Sequence, residues 1–235
     1  MNKQSNTYTI LYIVVMVLIV GSALALISMS LRDRQQVNAD SDKMRQILAA
    51  VHIVPEADNV VSDFHKYITA EPVVDQSGAV VSETGAFDVN VAVQSKINGD
   101  ERNLPVYICR MDDGATKYII PVYGAGLWGP IWGYVAFDAD GSTVYGAYFA
   151  HQGETPGLGA EIEKPAFSDQ FEGKTVFHGD AFMPIAVVKA GQKPLGNEDY
   201  VDGVSGGTIT SKGVGAMLAN CLAPYANYLK NLKSK

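Results

Sequence analysis

The longest apolar stretch of the chain lies near its N-terminus, where Ile10 to Ile27 is apolar apart from Ser22. No charged residue occurs between Lys3 and Arg32. A bilayer is crossed by about 20 such residues, so the pattern predicts a transmembrane helix over residues 8–31 after a tail of residues 1–7. A cleaved signal peptide is the alternative, because Ala23-Leu24-Ala25 resembles a cleavage site, but its apolar region would be only roughly 7–15 residues long.

The next segment has helical spacing, with apolar residues at Met44, Ile47, Leu48 and Val51 and charges on the opposite face. This pattern predicts an amphipathic connector helix over residues 32–54, which Pro55 ends. Residues 55–235 then remain for one globular domain of ordinary size.

Within that domain, apolar runs are paired across Asp-Gly turns, which is typical of antiparallel hairpins. The predicted strands are Pro105–Met111 with Thr116–Tyr123, and Ile131–Phe137 with Thr143–Ala150. A further strand is predicted at Ile185–Lys189, a helical or irregular excursion near Pro165–Phe171, and a C-terminal helix from about Ser211 to Leu229. The predicted fold class is α+β, an antiparallel sheet with packed helices, preceded by one N-terminal transmembrane helix.

Composition and charge exclude several classes of function. The chain of 235 residues has a formal net charge of -7 and no dense Lys/Arg cluster, which argues against nucleic-acid binding. Its two cysteines, Cys109 and Cys221, cannot supply the four thiolates of an iron–sulfur cluster. The histidines lack ligand spacing, so no metal site is predicted, and no catalytic group is assigned.

A glycine-rich turn, Ser205-Gly206-Gly207-Thr208, opens the predicted C-terminal helix. Glycines let a ligand approach the backbone, and a helix N-terminus favours a phosphate. Thr210, Ser211 and Lys212 are candidate additional donors. The alternative is an ordinary glycine loop with a Ser or Thr N-cap.

A second loop, Glu154-Thr155-Pro156-Gly157-Leu158-Gly159, follows a predicted strand and could place N–H groups and the Thr155 hydroxyl against a flat ligand while Leu158 packs on its face. A plain Pro-Gly turn is the alternative. Trp128 is a further candidate, although core or subunit-interface packing also explains a tryptophan there, and His151 is a candidate neighbour.

Three segments resemble motifs of a family of membrane-anchored flavoproteins, the C subunits of Na+-translocating NADH:quinone oxidoreductases. Ser205–Thr208 resembles the Ser-Gly-Ala-Thr flavinylation motif of that family, with Gly207 in place of alanine, and Glu154–Gly159 resembles its Glu-Thr-Pro-Gly-Leu-Gly motif. Gly126-Leu127-Trp128 and the Asp202-Gly203-Val204-Ser205 lead-in resemble this branch more than the G subunit of the Rnf electron-transport complex.

The resemblance implies that a separate flavin transferase attaches FMN to Thr208 through a phosphoester. The implied cofactor-binding residues are Ser205, Gly206, Gly207, Thr210, Glu154, Thr155, Gly157, Leu158 and Trp128. The chain would be an electron-relay subunit, passing electrons between redox centres on neighbouring membrane and flavoprotein subunits, and not catalytic alone. No Gly-x-Gly-x-x-Gly pattern in the chain follows a predicted strand and opens a helix, as a dinucleotide fingerprint does, so NADH is expected to react on another subunit.

The family also implies a location in the cytoplasmic membrane with the FMN domain, residues 55–235, on the periplasmic side. Charge bias points the other way, because Arg32, Arg34, Lys43 and Arg45 outnumber Lys3 and the terminal amine. Two alternatives stay open: the Rnf-type G subunit, and a membrane-anchored binding or structural subunit without flavin.

Overall fold

The computed structural model describes residues 5–97 and 101–233. Residues 1–4 of the predicted tail, including Lys3, lie outside the described residues, as do residues 98–100 and 234–235 of the predicted domain. Internal contacts divide the chain into a unit that ends at Lys43 and a second unit that begins at Met44.

The first helix, α1, runs without interruption over Asn6–Ala49 and contains the whole predicted membrane segment. Its most apolar 18-residue window has a mean hydropathy of 2.9 and is not buried within the protein, so the helix is long and apolar enough to cross a membrane. The helix ends at Ala49 and not at Pro55. A turn follows at once at residues 50–52. Ala50 and Val51 are fully buried in this turn, and His52 takes a left-handed conformation, with φ of 61°.

The second unit contains the remaining elements. Its helices are α2 (Val60–Tyr67), α3 (Val91–Gln94), α4 (Pro165–Ser168), α5 (Thr208–Leu222) and α6 (Ala226–Lys233). Its strands are β1 (Ile68–Ala70), β2 (Val73–Val74), β3 (Val80–Ser82), β4 (Leu104–Pro105), β5 (Tyr107–Arg110), β6 (Thr116–Ala125), β7 (Pro130–Phe137), β8 (Val144–His151), β9 (Phe177–His178), β10 (Ala181–Phe182), β11 (Ala186–Val188) and β12 (Tyr200–Asp202). Short 3-10 helices cover Ala57–Asn59, Ala86–Asp88, Gly159–Glu163, Asp169–Phe171 and Ala223–Tyr225.

The largest sheet among the described residues is antiparallel, with the order β1-β5-β6-β7-β8, and it confirms the predicted α+β class. Both predicted hairpins form, β5 with β6 and β7 with β8. Two boundaries in these hairpins differ from the prediction by two residues, and the other differences are of one residue. Pro105 belongs to β4, which pairs with β2 in a separate sheet, and β6 extends to Ala125 because it pairs with β7 as far as Pro130.

Both faces of the sheet are covered. Successive residues of a strand point to opposite faces, so Ile119 packs with the end of α1 and with Phe64 of α2, whereas Ile120 packs with α5 and α6 on the other side. All three of these residues are at most 1% exposed. The thiols of Cys109 and Cys221 are buried and free, and burial raises the pKa of Cys109 to about 11.

The C-terminal helix differs from the prediction at both ends. It begins at Thr208, three residues before Ser211, because Gly207 is its N-cap and the Ser211 hydroxyl instead accepts a hydrogen bond from the Val204 N–H at 2.9 Å. It changes to a 3-10 helix at Ala223–Tyr225, where Pro224 cannot donate to the preceding turn, and resumes as α6. The predicted excursion near Pro165–Phe171 forms as α4 and a 3-10 turn.

An aromatic cluster under β8 gives a test of this packing. Phe171 is fully buried, with its ring centroid 5.0 Å from that of Phe149 and 5.5 Å from that of Phe167. We expect Phe171→Ala to lower the free energy of unfolding by about 3–5 kcal/mol, because it removes apolar contacts and leaves a cavity. Val61→Ala, at a side chain 49% exposed, is the control and should change stability by less than about 0.5 kcal/mol. Chemical unfolding of the two variants in detergent checks this, and equal midpoints would contradict the packing.

Candidate functional site

Three backbone segments meet beside the N-terminus of α5. The first is the turn at residues 126–129 that joins β6 to β7, and the second is the loop that leaves β8 after His151. Ile131 pairs with His151, so the antiparallel register places the turn before β7 and the loop after β8 at the same end of the strands. The third is the loop at residues 203–207, which connects β12 to α5, together with the first turn of α5. The structure therefore brings together motifs that are about 80 residues apart in the sequence.

Thr208 is the first residue of α5 and is exposed to solvent. Its N-cap, Gly207, has no side chain, and no side-chain hydrogen bond caps the helix. The first N–H groups of a helix lack partners within it, and together with the helix dipole they favour an anion there. Lys212 lies four residues further along, on the same face of the helix as Thr208. The hydroxyl of Thr208 thus stands where a bound phosphate would be favourable.

An open cavity of about 220 Å³ adjoins Thr208. It is lined by large apolar side chains that remain unusually exposed: Leu127 at 48%, Leu158 at 42% and Ile209 at 56%. They come from the three different segments, one from each. Such a group of exposed apolar side chains is typical of a binding surface, here one suited to a flat aromatic ligand.

The loops around Thr208 pack closely against each other. Gly206 has a φ of 78°, and a Cβ there would lie 2.6 Å from Leu158 Cδ2. Gly207 has an ordinary φ of -99°, and a Cβ there would lie 3.2 Å from the Gly159 nitrogen. Gly206 is therefore required by its conformation, since the exposed Leu158 side chain could move, whereas Gly207 only makes the turn less crowded.

Glu154 and Thr210 are buried and bonded to each other. The Thr210 hydroxyl donates to Glu154 Oε2 at 2.5 Å, and the Trp128 N–H donates to Glu154 Oε1 at 2.8 Å. Burial raises the pKa of Glu154, but hydrogen bonds from Thr210 and from the backbone N–H groups of Trp128 and Leu127 more than offset this and hold its pKa below the ordinary value. Glu154 is thus a carboxylate at neutral pH.

The rest of the loop after β8, residues 155–159, presents side chains to the cavity beside Thr208 more than backbone N–H donors. The Gly157 N–H donates to Glu161 Oε1 at 3.0 Å, and the Leu158 N–H donates to the Thr155 carbonyl at 3.1 Å. These N–H groups therefore have acceptors within the loop. Thr155 and Leu158 are exposed and line the cavity beside Thr208, so their side chains are the groups this loop presents.

A second cavity, of about 290 Å³, lies on the other side of Thr208. Its wall includes Ser205 and three lysines: Lys189 and Lys193 from the loop between β11 and β12, and Lys212 from α5. Lysines gathered in this way create a positive potential in a chain whose net charge is -7. Thr208 therefore has an apolar cavity on one side and a basic one on the other.

The two remaining sequence candidates also lie near this site. Trp128 is 69% exposed, which excludes core packing and leaves a ligand or a partner surface. His151 Nδ1 accepts from the Glu154 N–H at 3.0 Å, and its Nε2 lies 3.6 Å from Glu163 Oε1. His151 thus touches the site through Glu154. Trp132 is different, because its Nε1 donates to Gln46 Oε1 at 2.9 Å away from the cavity.

Sequence reasoning did not select Leu127, Ile209, Lys189 or Lys193 as site residues. Ile209 had a detectable signal, an apolar residue in the otherwise polar first turn of a helix. Leu127 lies within the Gly-Leu-Trp motif and was not singled out. Lys189 and Lys193 reach the site only because β11 pairs in parallel with β12, which leads into α5, and no local pattern predicts that pairing.

Comparisons with known proteins agree with this geometry. The FMN-binding domain family matches residues 126–223, which include all three segments. The C subunit of the Na(+)-translocating NADH-quinone reductase of Vibrio anguillarum is 35% identical over 228 residues, covering 91% of this chain and 89% of that protein. The crystal structure of the same subunit from Parabacteroides distasonis is 46% identical, with a TM-score of 0.79, covering 85% of this chain and 96% of that one. The crystal structure of Shewanella oneidensis NqrC is 25% identical, with a TM-score of 0.70, covering 84% of this chain and all of that one.

The fold and site therefore define a membrane-helix protein with an FMN-binding domain. With a relative 35% identical over nearly the full length, the chain belongs to the family of C subunits of the Na(+)-translocating NADH-quinone reductase. It is thus a subunit of an oxidoreductase complex, which confirms the family that the three motifs indicated. Membership of a multi-subunit complex implies other subunits as partners.

The two adjacent glycines give a matched pair of variants. We expect Gly206→Ala to lower stability by about 1–2 kcal/mol or more, because alanine is strained at this φ and its Cβ would meet Leu158. Gly207→Ala should change stability by less than about 1 kcal/mol in either direction, since the contact is tight but the conformation suits alanine. Thermal unfolding of the full chain in detergent measures both, and a Gly207→Ala effect as large as that of Gly206→Ala would contradict the loop geometry.

Proposed function

We propose that this chain is an electron-relay subunit that carries FMN covalently on Thr208, through a phosphoester of the hydroxyl. One observation carries the proposal. Thr208 is exposed at an uncapped helix N-terminus, between a basic cavity and a cavity walled by exposed apolar side chains. FMN combines a phosphate with a flat aromatic ring, and the residues around Thr208 fit both parts.

The phosphate side of the fit rests on charge. A phosphodiester on Thr208 keeps one negative charge, which the N-terminus of α5 would stabilise by an estimated ~0.3–1 kcal/mol. Lys212 can approach the same group from one helical turn away, and Lys189 and Lys193 line the adjoining cavity. Ser205 and Gly206 border this cavity as well. These residues would hold the phosphate end of FMN.

The ring side of the fit rests on apolar contact. Leu127, Leu158 and Ile209 would pack on the isoalloxazine, with Thr155 available as a polar neighbour. Burying these side chains against the ring removes exposed apolar surface, which favours binding. Trp128, exposed on the same turn as Leu127, is either a further contact of the ring or a contact of a neighbouring subunit.

Attachment to Thr208 requires a separate transferase. Of the described residues that line the apolar cavity, Glu154 is the one carboxylate, and its oxygens already accept from Trp128 and Thr210. It is therefore not placed to activate Thr208, and an unactivated threonine is a weak nucleophile. In the proposed transfer from FAD, the Thr208 oxygen bonds to the FMN phosphorus, the phosphorus–oxygen bond to AMP breaks, AMP leaves, and the threonine proton passes to a base of the transferase.

Bound FMN would supply one-electron chemistry, accepting electrons from a redox centre on one neighbouring subunit and passing them to another. The chain's own part would be to hold the ring at the surface, partly exposed, where such centres can come within electron-transfer distance. The exposure of the apolar cavity supports this role, because a fully enclosed flavin would be separated from its partners by protein.

Peptide mass spectrometry tests the attachment directly. In chain produced together with the transferase, we expect FMN on the peptide that contains Thr208, and none in Thr208→Val. The exposed Thr84 gives a control, and Thr84→Val should keep the flavin. In the assembled complex, Thr208→Val should abolish NADH-dependent quinone reduction. Flavin retained by Thr208→Val, or wild-type chain without flavin in active membranes, would overturn the proposal and favour a subunit that holds no flavin.

We also propose that the FMN domain lies on the periplasmic side of the cytoplasmic membrane. Covalent attachment supports this, because flavin lost on that side could not readily be replaced from the cytoplasm. We expect alkaline phosphatase fused to the C-terminus to be active, because it folds on the periplasmic side. Green fluorescent protein fused to the same position should be dark, because it does not become fluorescent after export through the Sec pathway. The reverse pattern would place the domain in the cytoplasm, as the charge bias around α1 suggests.

A further inference from the structure

The carboxylate of Glu154 is an unusual group for a surface loop. The residue is 5% exposed, whereas its neighbours Gly153 and Thr155 are exposed. A buried carboxylate is costly unless hydrogen bonds satisfy it. Here one oxygen accepts from the Trp128 N–H and the other from the Thr210 hydroxyl, while the Glu154 N–H donates to His151 Nδ1. The side chain therefore lies at the inner wall of the cavity beside Thr208, and each of its oxygens is already bonded to the protein.

These bonds join the three segments that form the site. Trp128 lies on the turn between β6 and β7, Glu154 lies on the loop after β8, and Thr210 lies in the first turn of α5. Each segment also carries one apolar wall residue of the cavity: Leu127, Leu158 and Ile209 respectively. Thr210 is two residues from Thr208. One buried carboxylate thus fixes the walls of the cavity relative to the attachment residue.

Two glycines make room for this carboxylate. A Cβ at Gly126 would lie 2.5 Å from Glu154 Oε1. A Cβ at Gly159 would overlap both Glu154 Oε2 and Thr210 Oγ1. The sequence therefore leaves side chains out on both sides of the acid, which is the arrangement expected where a buried carboxylate has a fixed place.

We propose that Glu154 and Thr210 are positioning residues of the flavin site and not ligands of the flavin. Their hydrogen bond, with that from Trp128, sets the distance between the apolar walls and the Thr208 hydroxyl. The inference rests on the proposed function, and it replaces the direct contact that the sequence motif suggested for these two residues. It predicts that disturbing the buried bonds changes how FMN is attached and held, although the polar groups of both residues are bonded to the protein and not to FMN.

Thr210 provides the matched test. Thr210→Val removes the hydroxyl donor at nearly constant shape, and Thr210→Ser keeps it. In full-length chain produced with the transferase, we expect Thr210→Val and Glu154→Gln to slow FMN attachment at Thr208 several-fold, measured by peptide mass spectrometry. The flavin attached to them should show an altered visible circular dichroism and reduction potential. Thr210→Ser keeps the hydroxyl but loses the methyl group, and it should match the wild type in attachment rate, circular dichroism and potential. If Thr210 only filled space, Thr210→Val would be the milder change and Thr210→Ser the more disruptive one.

Protonation of Glu154 gives a second readout, part of which needs only the wild type. Its pKa is lowered in the folded chain, so its stabilisation is fully present above the unfolded value of about 4.3 and is lost as pH falls through the folded value. The nearby titratable groups are His151 on β8, Glu163 opposite His151, and Glu161, which accepts from Gly157. As the pH falls below about 4, the melting temperature should fall more steeply in the wild type than in Glu154→Gln. The visible circular dichroism of the loaded wild type should change in the same acid range.

The outcomes separate the two proposals. Wild-type chain without FMN on Thr208 would overturn the proposed function itself. Wild-type chain with FMN on Thr208, but with Thr210→Val and Glu154→Gln matching it in attachment rate, circular dichroism and potential, would overturn only the positioning role. Should these variants fail to fold, a flavin signal in the wild type that stays constant through the acid range would overturn it equally.

Discussion

The antiparallel register of β6, β7 and β8 determines where the turn at 126–129 and the loop after β8 lie, and both of these form the flavin site. β6 pairs with β7 through Ala125 and Pro130, and β7 pairs with β8 through Ile131 and His151, so one edge of the sheet carries both the turn at 126–129 and the loop that begins at Gln152. A slip of one residue would move every side chain of a strand to the other face. Burial on both faces prevents this, because Ile119 and Ile120 pack into different halves of the core.

The site combines a rigid interior with an exposed surface. Glu154, Thr210 and Ser211 are buried, and each makes hydrogen bonds to neighbouring segments. Around them Leu127, Trp128, Leu158 and Ile209 stay exposed, although each would be more stable in a core. Exposed apolar side chains grouped beside the Thr208 hydroxyl are suited to a ligand that covers them. The family match to an FMN-binding domain names a ligand of that shape.

Attachment of the domain to a membrane helix suits this chemistry. α1 carries an apolar stretch able to cross a bilayer, and the compact unit begins at Met44, within its last turns. The sequence motifs left the Rnf-type G subunit and a flavin-free subunit open, and the likeness to the C subunits of the reductase over most of the chain selects among them. The similarity shows the family of the chain, whereas its periplasmic location and the covalent bond to FMN are our proposals.

The sequence by itself determined the elements whose cause is local. Apolar length predicts the membrane segment of α1, alternation with Asp-Gly turns predicts the two hairpins, and glycines before a helix predict the loop that carries Thr208. The tertiary structure alone decided that the helix ends at Ala49, that α5 begins at Thr208, and that Glu154 is bonded to Thr210. These outcomes depend on which segments meet in space. A residue's propensity and its neighbours in the chain carry no information about a hydrogen-bond partner 56 residues away, so only the folded arrangement could show it.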